Sequence, residues 1–137
     1  MTAPTQRLVP PESEIAAPFW DATRERALVL QWCTHCEQPV HYPREACPRC
    51  LGTSFDWRRA SGVAVVHAVR VQHRPGPGRD AADGPYAVAL VDLPEGVRMM
   101  TNVVGCDPDA VTVGMAVRVA WEPLPDGRNL PVFAPEP

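Results

Sequence analysis

Cys33-Thr34-His35-Cys36 and Cys47-Pro48-Arg49-Cys50 set two thiol pairs ten residues apart, and four thiolates at that spacing close a tetrahedral shell around one metal ion. Two sulfurs separated by two residues turn into a tight knuckle. A second knuckle across a short hairpin fills the remaining corners and leaves no position for water or a reactant, so the predicted site is structural. Zinc is the expected ion, with iron in a four-sulfur shell as the alternative, because thiolate ligation alone does not separate the two. Disulfides are disfavoured, since the first eleven residues carry no apolar stretch of the kind that directs export. A dithiol redox motif would need only one pair on a βαβ unit. The expectation is a reducing, cytoplasmic setting. His35 and His41 lie near the knuckles, and with four thiolates in place they read as knuckle-surface residues.

Other chemistry is scarce. All thirteen basic residues are Arg, so a Schiff-base lysine, a phosphate-binding Walker lysine and a lysine general base are excluded. There is no nucleophile elbow, no phosphate-cradling glycine loop opening a helix and no two-histidine zinc motif. A net charge of −3 argues against a groove that tracks nucleic-acid phosphates. No apolar run approaches the ~20 residues needed to cross a bilayer. His67 and His73 are expected on the face of Val65, Val69 and Val71 as partly buried, hydrogen-bonded residues. Cys106 reads as a small packing residue, and Asp92 and Glu95 as solvated groups flanking a turn. Nothing here makes the chain an enzyme on its own.

The elements that position the cysteines are short. Residues 18–26 read as a helix entered at Pro18, with Phe19, Trp20 and Thr23 on one side. Residues 28–32 alternate as a strand leading into the first knuckle, 40–43 return as its mate, and 54–58 supply a third ribbon strand. From Ser61-Gly62 the character changes, and 63–73 form a long β-branched run with valines 63, 65, 69 and 71 on one face. Strands at 85–92 and 97–104 flank the turn Leu93-Pro94-Glu95-Gly96; strands at 116–121 and an edge strand at 130–133 follow. Asp107 caps a short turn. The fold class is mainly β: an N-terminal short helix, a zinc ribbon and a C-terminal five-stranded Greek-key barrel of the oligonucleotide/oligosaccharide-binding (OB) type. The expected organisation is an extended segment at 1–17, helix and ribbon at 18–60, barrel at 61–134 and a tail at 135–137. Seventeen prolines weight both ends, so the two terminal segments gain order only by lying on something.

Two side-chain groups remain. Arg70, Arg74 and Arg79 flank or occupy a Gly- and Pro-rich loop joining the first two barrel strands, where they would meet the phosphates of an acyl-CoA, although Asp80 and Asp83 oppose this and a solvated loop is the simpler reading. Phe19, Trp20 and Trp57 form a set, because a short helix cannot bury two large aromatics such as Phe19 and Trp20 against itself. They either pack on the chain's own ribbon or anchor a partner protein.

In this order over residues 16–134, Pro18-Phe19-Trp20, the two knuckles, Tyr42-Pro43-Arg44, Trp57, Ser61-Gly62, Pro85-Tyr86, Glu95-Gly96-Val97, Thr101-Asn102, Gly114-Met115 and Leu130-Pro131-Val132-Phe133 resemble a family of small proteins. That family joins a rubredoxin-like zinc ribbon to an OB-fold barrel and was long catalogued only as a domain of unknown function. The resemblance implies an accessory role beside thiolase-like enzymes acting on acyl-CoA thioesters. In one setting, similar proteins hold an acetoacetyl-CoA thiolase against a hydroxymethylglutaryl-CoA synthase. In the other, a similar domain fused to a hydratase completes a thiolase-like aldolase that shortens steroid side chains, and this Arg-rich, Lys-free chain is closer to it. Two residues depart from the family pattern: Glu37 and Ala64 stand where glycines are usual. If the first knuckle needs a positive φ, Glu37 is strained there by ~1 kcal/mol.

Overall fold

The computed structural model describes residues 9–76 and 81–137. Helix α1 (Ala17–Arg24) starts with a proline in its first turn and buries Phe19, Trp20 and Thr23. Before it, the Ser13 hydroxyl accepts a hydrogen bond from the Ala16 N–H at 3.1 Å, which satisfies one donor that the helix start leaves free. A three-stranded ribbon follows, β1 (Val29–Cys33), β2 (Pro39–Val40) and β3 (Phe55–Arg59), antiparallel throughout in the order β2-β1-β3. The remaining strands, β4 (Val63–Gln72), β5 (Tyr86–Asp92), β6 (Arg98–Val103), β7 (Ala116–Pro123) and β8 (Asn129–Pro135), form a closed barrel in the order β4-β5-β6-β8-β7. The β6–β8 contact is parallel and the others antiparallel, which is the OB-type Greek key that the strand pattern predicts.

Two expectations change. First, the valines of β4 do not share one face. A bulge between Val66 and Ala68 shifts the register, so Ala64 and Val66 point into the core before it and Val69 packs on the core after it. Val65 is consequently 48 % exposed, and His67 and His73 are both exposed rather than partly buried. An extra residue in one strand resets the two-residue alternation, and no local pattern announces it. Second, residues 130–133 are no edge strand. β8 closes the barrel between β7 and β6, and Val104 N–H donates to Phe133 O at 2.8 Å. Pro131 is tolerated because the β6–β8 pairing is confined to Val103 and Phe133 and so asks nothing of its missing N–H. The C-terminal segment does gain its order by lying on something, namely the barrel it closes as β8.

Gly62 marks the passage from ribbon to barrel. Its φ of 86° suits glycine, and a Cβ there would stand 2.9 Å from a Val119 methyl carbon, so the backbones of β4 and β7 approach only because no side chain intervenes. The turn after β5 reaches back to the ribbon: the Ser61 N–H donates to a Glu95 carboxylate oxygen at 2.8 Å. One core runs through the molecule, joining Phe19, Trp20, Leu28 and Leu30 to the barrel interior around Val66, Val91, Val117 and Phe133. A smaller cluster of Cys33, Val40 and Cys47, with Phe55 against it, sits apart under the knuckles. Among the described residues, no helix is long and apolar enough to cross a membrane.

Candidate functional site

Each knuckle is built the same way. The N–H of the residue after the second cysteine returns to the carbonyl of the first, Glu37 to Cys33 O at 3.0 Å and Leu51 to Cys47 O at 2.9 Å. That closure requires a left-handed residue, and Glu37 (φ 57°) and Leu51 (φ 65°) supply it. The departure at Glu37 therefore leaves the turn intact at the cost of strain. Backbone donors also face the sulfurs, Arg49 N–H toward Cys47 Sγ at 3.5 Å and Gly52 N–H toward Cys50 Sγ at 3.4 Å.

The four sulfurs converge. Cys33 and Cys50 are 3.6 Å apart, as are Cys36 and Cys47, and all four lie within 4.8 Å of one another. A tetrahedron with metal–sulfur bonds of about 2.3 Å has edges of about 3.8 Å, so the cluster fits one ion with slight contraction. Cys33 and Cys47 are fully buried and Cys36 and Cys50 half-buried, which leaves no open coordination position. The thiols are also electrostatically divided. The Cys50 backbone N–H draws the Cys47 thiol down to about 6, and the Cys36 N–H lowers Cys33. Burial, followed by the neighbouring sulfurs, pushes Cys36 up to about 12. Four crowded sulfurs cannot all ionise alone, and a divalent cation is what lets them. Cys33, Cys36, Cys47 and Cys50 are thus positioned to hold one metal ion, whose contribution is to close the ribbon.

Phe19 and Trp20 fall on the packing side of their alternative. They are 2 % and 6 % exposed, and they stack edge to face at 5.1 Å. Trp20 Nε1–H donates to the Tyr42 hydroxyl at 2.9 Å, and Phe19 meets the His41 ring at 5.7 Å. His41 is half-buried, and desolvation against this aromatic group lowers its pKa to about 4. Trp57 is half-buried against the same core. Arg70 and Arg74 are both exposed, and Arg79 lies outside the described residues. Cys106 packs on the core as expected. Asp92 is more than a solvated turn residue, since Arg98 holds it through bonds of 2.6 and 3.1 Å and keeps its carboxyl below the usual range.

Three buried polar residues escaped the sequence reading, Gln31, Arg128 and Asn129. Gln31, 3 % exposed, clasps the backbone of Arg44, donating to its carbonyl at 2.7 Å and accepting its N–H at 2.8 Å. The clasp fixes the loop that carries Tyr42 toward the second knuckle. Arg128, 2 % exposed, donates to Asp126 at 2.8 Å and to the Pro10 carbonyl at 2.7 Å, and lies 5.1 Å over the Trp20 ring. Beside it, Asn129 bonds to Thr23 through both its backbone N–H and its side-chain amide, at 3.2 and 2.8 Å. Helix α1, the N-terminal segment and the β7–β8 turn are locked together there. A cavity of about 600 Å³ opens at this joint, lined by Glu12, Glu14, Asp21, Arg24 and Arg128 among others.

Residues 20–56 match the family model described as the ChsH2 rubredoxin-like zinc ribbon domain, and residues 57–122 match the ChsH2 C-terminal OB-fold domain. The chain is similar to a probable enoyl-CoA hydratase alpha subunit of Thermomonospora curvata, 42 % identical over 85 % of this chain and 36 % of that protein. It is also similar to the 3-oxo-4,17-pregnadiene-20-carboxyl-CoA hydratase alpha subunit of Mycobacterium tuberculosis, 33 % identical over 90 % of this chain and 39 % of that protein. A DUF35 domain-containing scaffold protein of Methanocaldococcus jannaschii is 33 % identical over 74 % of this chain and 73 % of its own length. Among solved structures, the Ltp2-ChsH2(DUF35) aldolase superposes with a TM-score of 0.81 at 37 % identity, covering 93 % of this chain and 98 % of the matched one. The chain thus spans little more than a third of the hydratase subunits it resembles.

Proposed function

The chain belongs to the DUF35 family of ChsH2 type, and from that membership we propose that it is a non-catalytic accessory subunit that docks on and completes a thiolase-like enzyme acting on acyl-CoA thioesters. The preferred reaction of the partner is retro-aldol cleavage of a steroid side-chain acyl-CoA in the cytoplasm. The observation that carries this reading is the likeness, over nearly the whole matched chain, to the DUF35 part of an aldolase assembly. The sealed sulfur cage supports it as well: a metal enclosed by Cys33, Cys36, Cys47 and Cys50 holds a scaffold but does not touch a reactant. The likeness to a pregnadiene carboxyl-CoA hydratase subunit favours a steroid thioester over a short acyl chain.

A scaffold role between two enzymes of acyl-CoA metabolism is the second reading, favoured by the DUF35 scaffold relative. Direct acyl-CoA binding through Arg70 and Arg74 has less support, because both side chains are exposed and neither lines the cavity at the Arg128 joint. Copurification of the tagged chain with a thiolase-fold protein from its host, as a complex that survives gel filtration, tests the proposal. Elution of the chain alone under those conditions contradicts it.

A further inference from the structure

The cavity at the Arg128 joint holds a buried donor that the fold does not use. Arg128 Nε and Nη2 both hold the Asp126 carboxylate, and Nη2 also donates to the Pro10 carbonyl, whereas Nη1 is buried and has no acceptor among the described residues. The side chain is 2 % exposed and lines the cavity. Leaving a buried guanidinium N–H unpaired is costly, so an acceptor entering the cavity gains a bond that water-exposed surface does not offer. That acceptor is not an anion. Asp126 already neutralises Arg128, and Arg24 is engaged by the Asp21 carboxylate at 4.0 Å and the Asp126 carbonyl at 2.9 Å. Glu12 and Glu14, both exposed, then add two negative charges to the lining. An anion meets repulsion there, while a neutral carbonyl with a cation beside it satisfies the donor and the carboxylates together. The lining is also set in place beforehand: Pro10 is tied to Arg128 at 2.7 Å, and Ser13, between the two glutamates, accepts the Ala16 N–H at 3.1 Å. A volume of about 600 Å³ is that of an ordinary ligand cleft and takes a short stretch of peptide.

We infer that this cavity receives a basic segment of the partner enzyme: a main-chain carbonyl of that segment accepts from Arg128 Nη1, and a neighbouring Arg or Lys side chain lies against Glu12 and Glu14. This rests on the accessory-subunit reading above and adds to it the contact point and the charge of the surface that meets it.

The test titrates the purified full chain into its thiolase-fold partner by calorimetry. The parent is compared with Glu12→Gln/Glu14→Gln, with Ala17→Leu, which narrows the cavity, and with Glu45→Gln/Asp109→Asn, which removes the same charge from exposed positions elsewhere. Both cavity variants are expected to weaken binding at least about tenfold, and the remote pair to stay within about threefold of the parent. With nitrogen-labelled arginine, NMR is expected to show the Arg128 Nη protons exchanging with water more slowly in the complex than in the free chain. Parental affinity in either cavity variant overturns the inference while leaving the accessory reading in place. An equal loss from the remote pair overturns it too, since the charge would then act as a general field. Inorganic phosphate or acetate that shifts the Arg128 signals of the free chain and displaces the partner would make the cavity an anion site, which also overturns it. If the parent chain binds no thiolase-fold enzyme, both readings fall together.

Discussion

Burial of His41 against Phe19 keeps its imidazole neutral down to about pH 4, whereas in the unfolded chain it charges near 6.5. Between those values the unfolded state binds more protons, so this residue's contribution to stability is present above pH 6.5 and is lost as the pH falls toward 4. Urea unfolding is expected to show the parent chain losing about 1–2 kcal/mol more than His41→Phe between pH 7 and pH 5. Equal losses would mean the imidazole is solvated. The cysteine cage was legible because its information is local, two pairs with fixed spacing. Gln31 and Arg128 were not, since Gln31 is satisfied by Arg44, 13 residues away, and Arg128 is held in the core by Pro10, 118 residues away, as well as by nearby Asp126. A buried polar residue looks like a surface one until its partners are known.

At the scale of elements, strands were readable wherever alternation ran unbroken, as in β5, whose residues alternate buried and half-buried along its length. The reading failed at the β4 bulge, where one added residue turns Val65 outward, and at β8, whose membership of the barrel depends on closure rather than on its own residues. The joint between α1 and the β7–β8 turn was equally hidden. Arg128 holds Asp126, whose carboxyl it keeps below the usual range, together with Pro10 and the Trp20 face. Arg128→Met is expected to destabilise the chain by about 2 kcal/mol in urea unfolding, because it removes the one buried guanidinium that ties exposed Asp126, the half-buried Pro10 carbonyl and the Trp20 face together. A loss below about 1 kcal/mol would show that solvent replaces the guanidinium at little cost.

For the whole molecule, the division into two clusters sets what the metal does. The knuckle cluster around Cys33, Val40 and Cys47 depends on the ion, whereas the main core runs from α1 through the barrel without touching it. A strong chelator should therefore speed amide exchange across residues 33–55 while β4–β6 stay protected; simultaneous loss of protection throughout would show that the metal holds the entire fold. The same organisation underlies the functional account, in which the cage sustains a scaffold and another polypeptide carries out the bond cleavage. The most direct test is a retro-aldol assay on a steroid side-chain acyl-CoA with the chain alone, its thiolase-fold partner alone, and the two combined. The account predicts turnover only in the combination. Turnover by the chain alone, or an undiminished rate from the partner without it, would contradict that account.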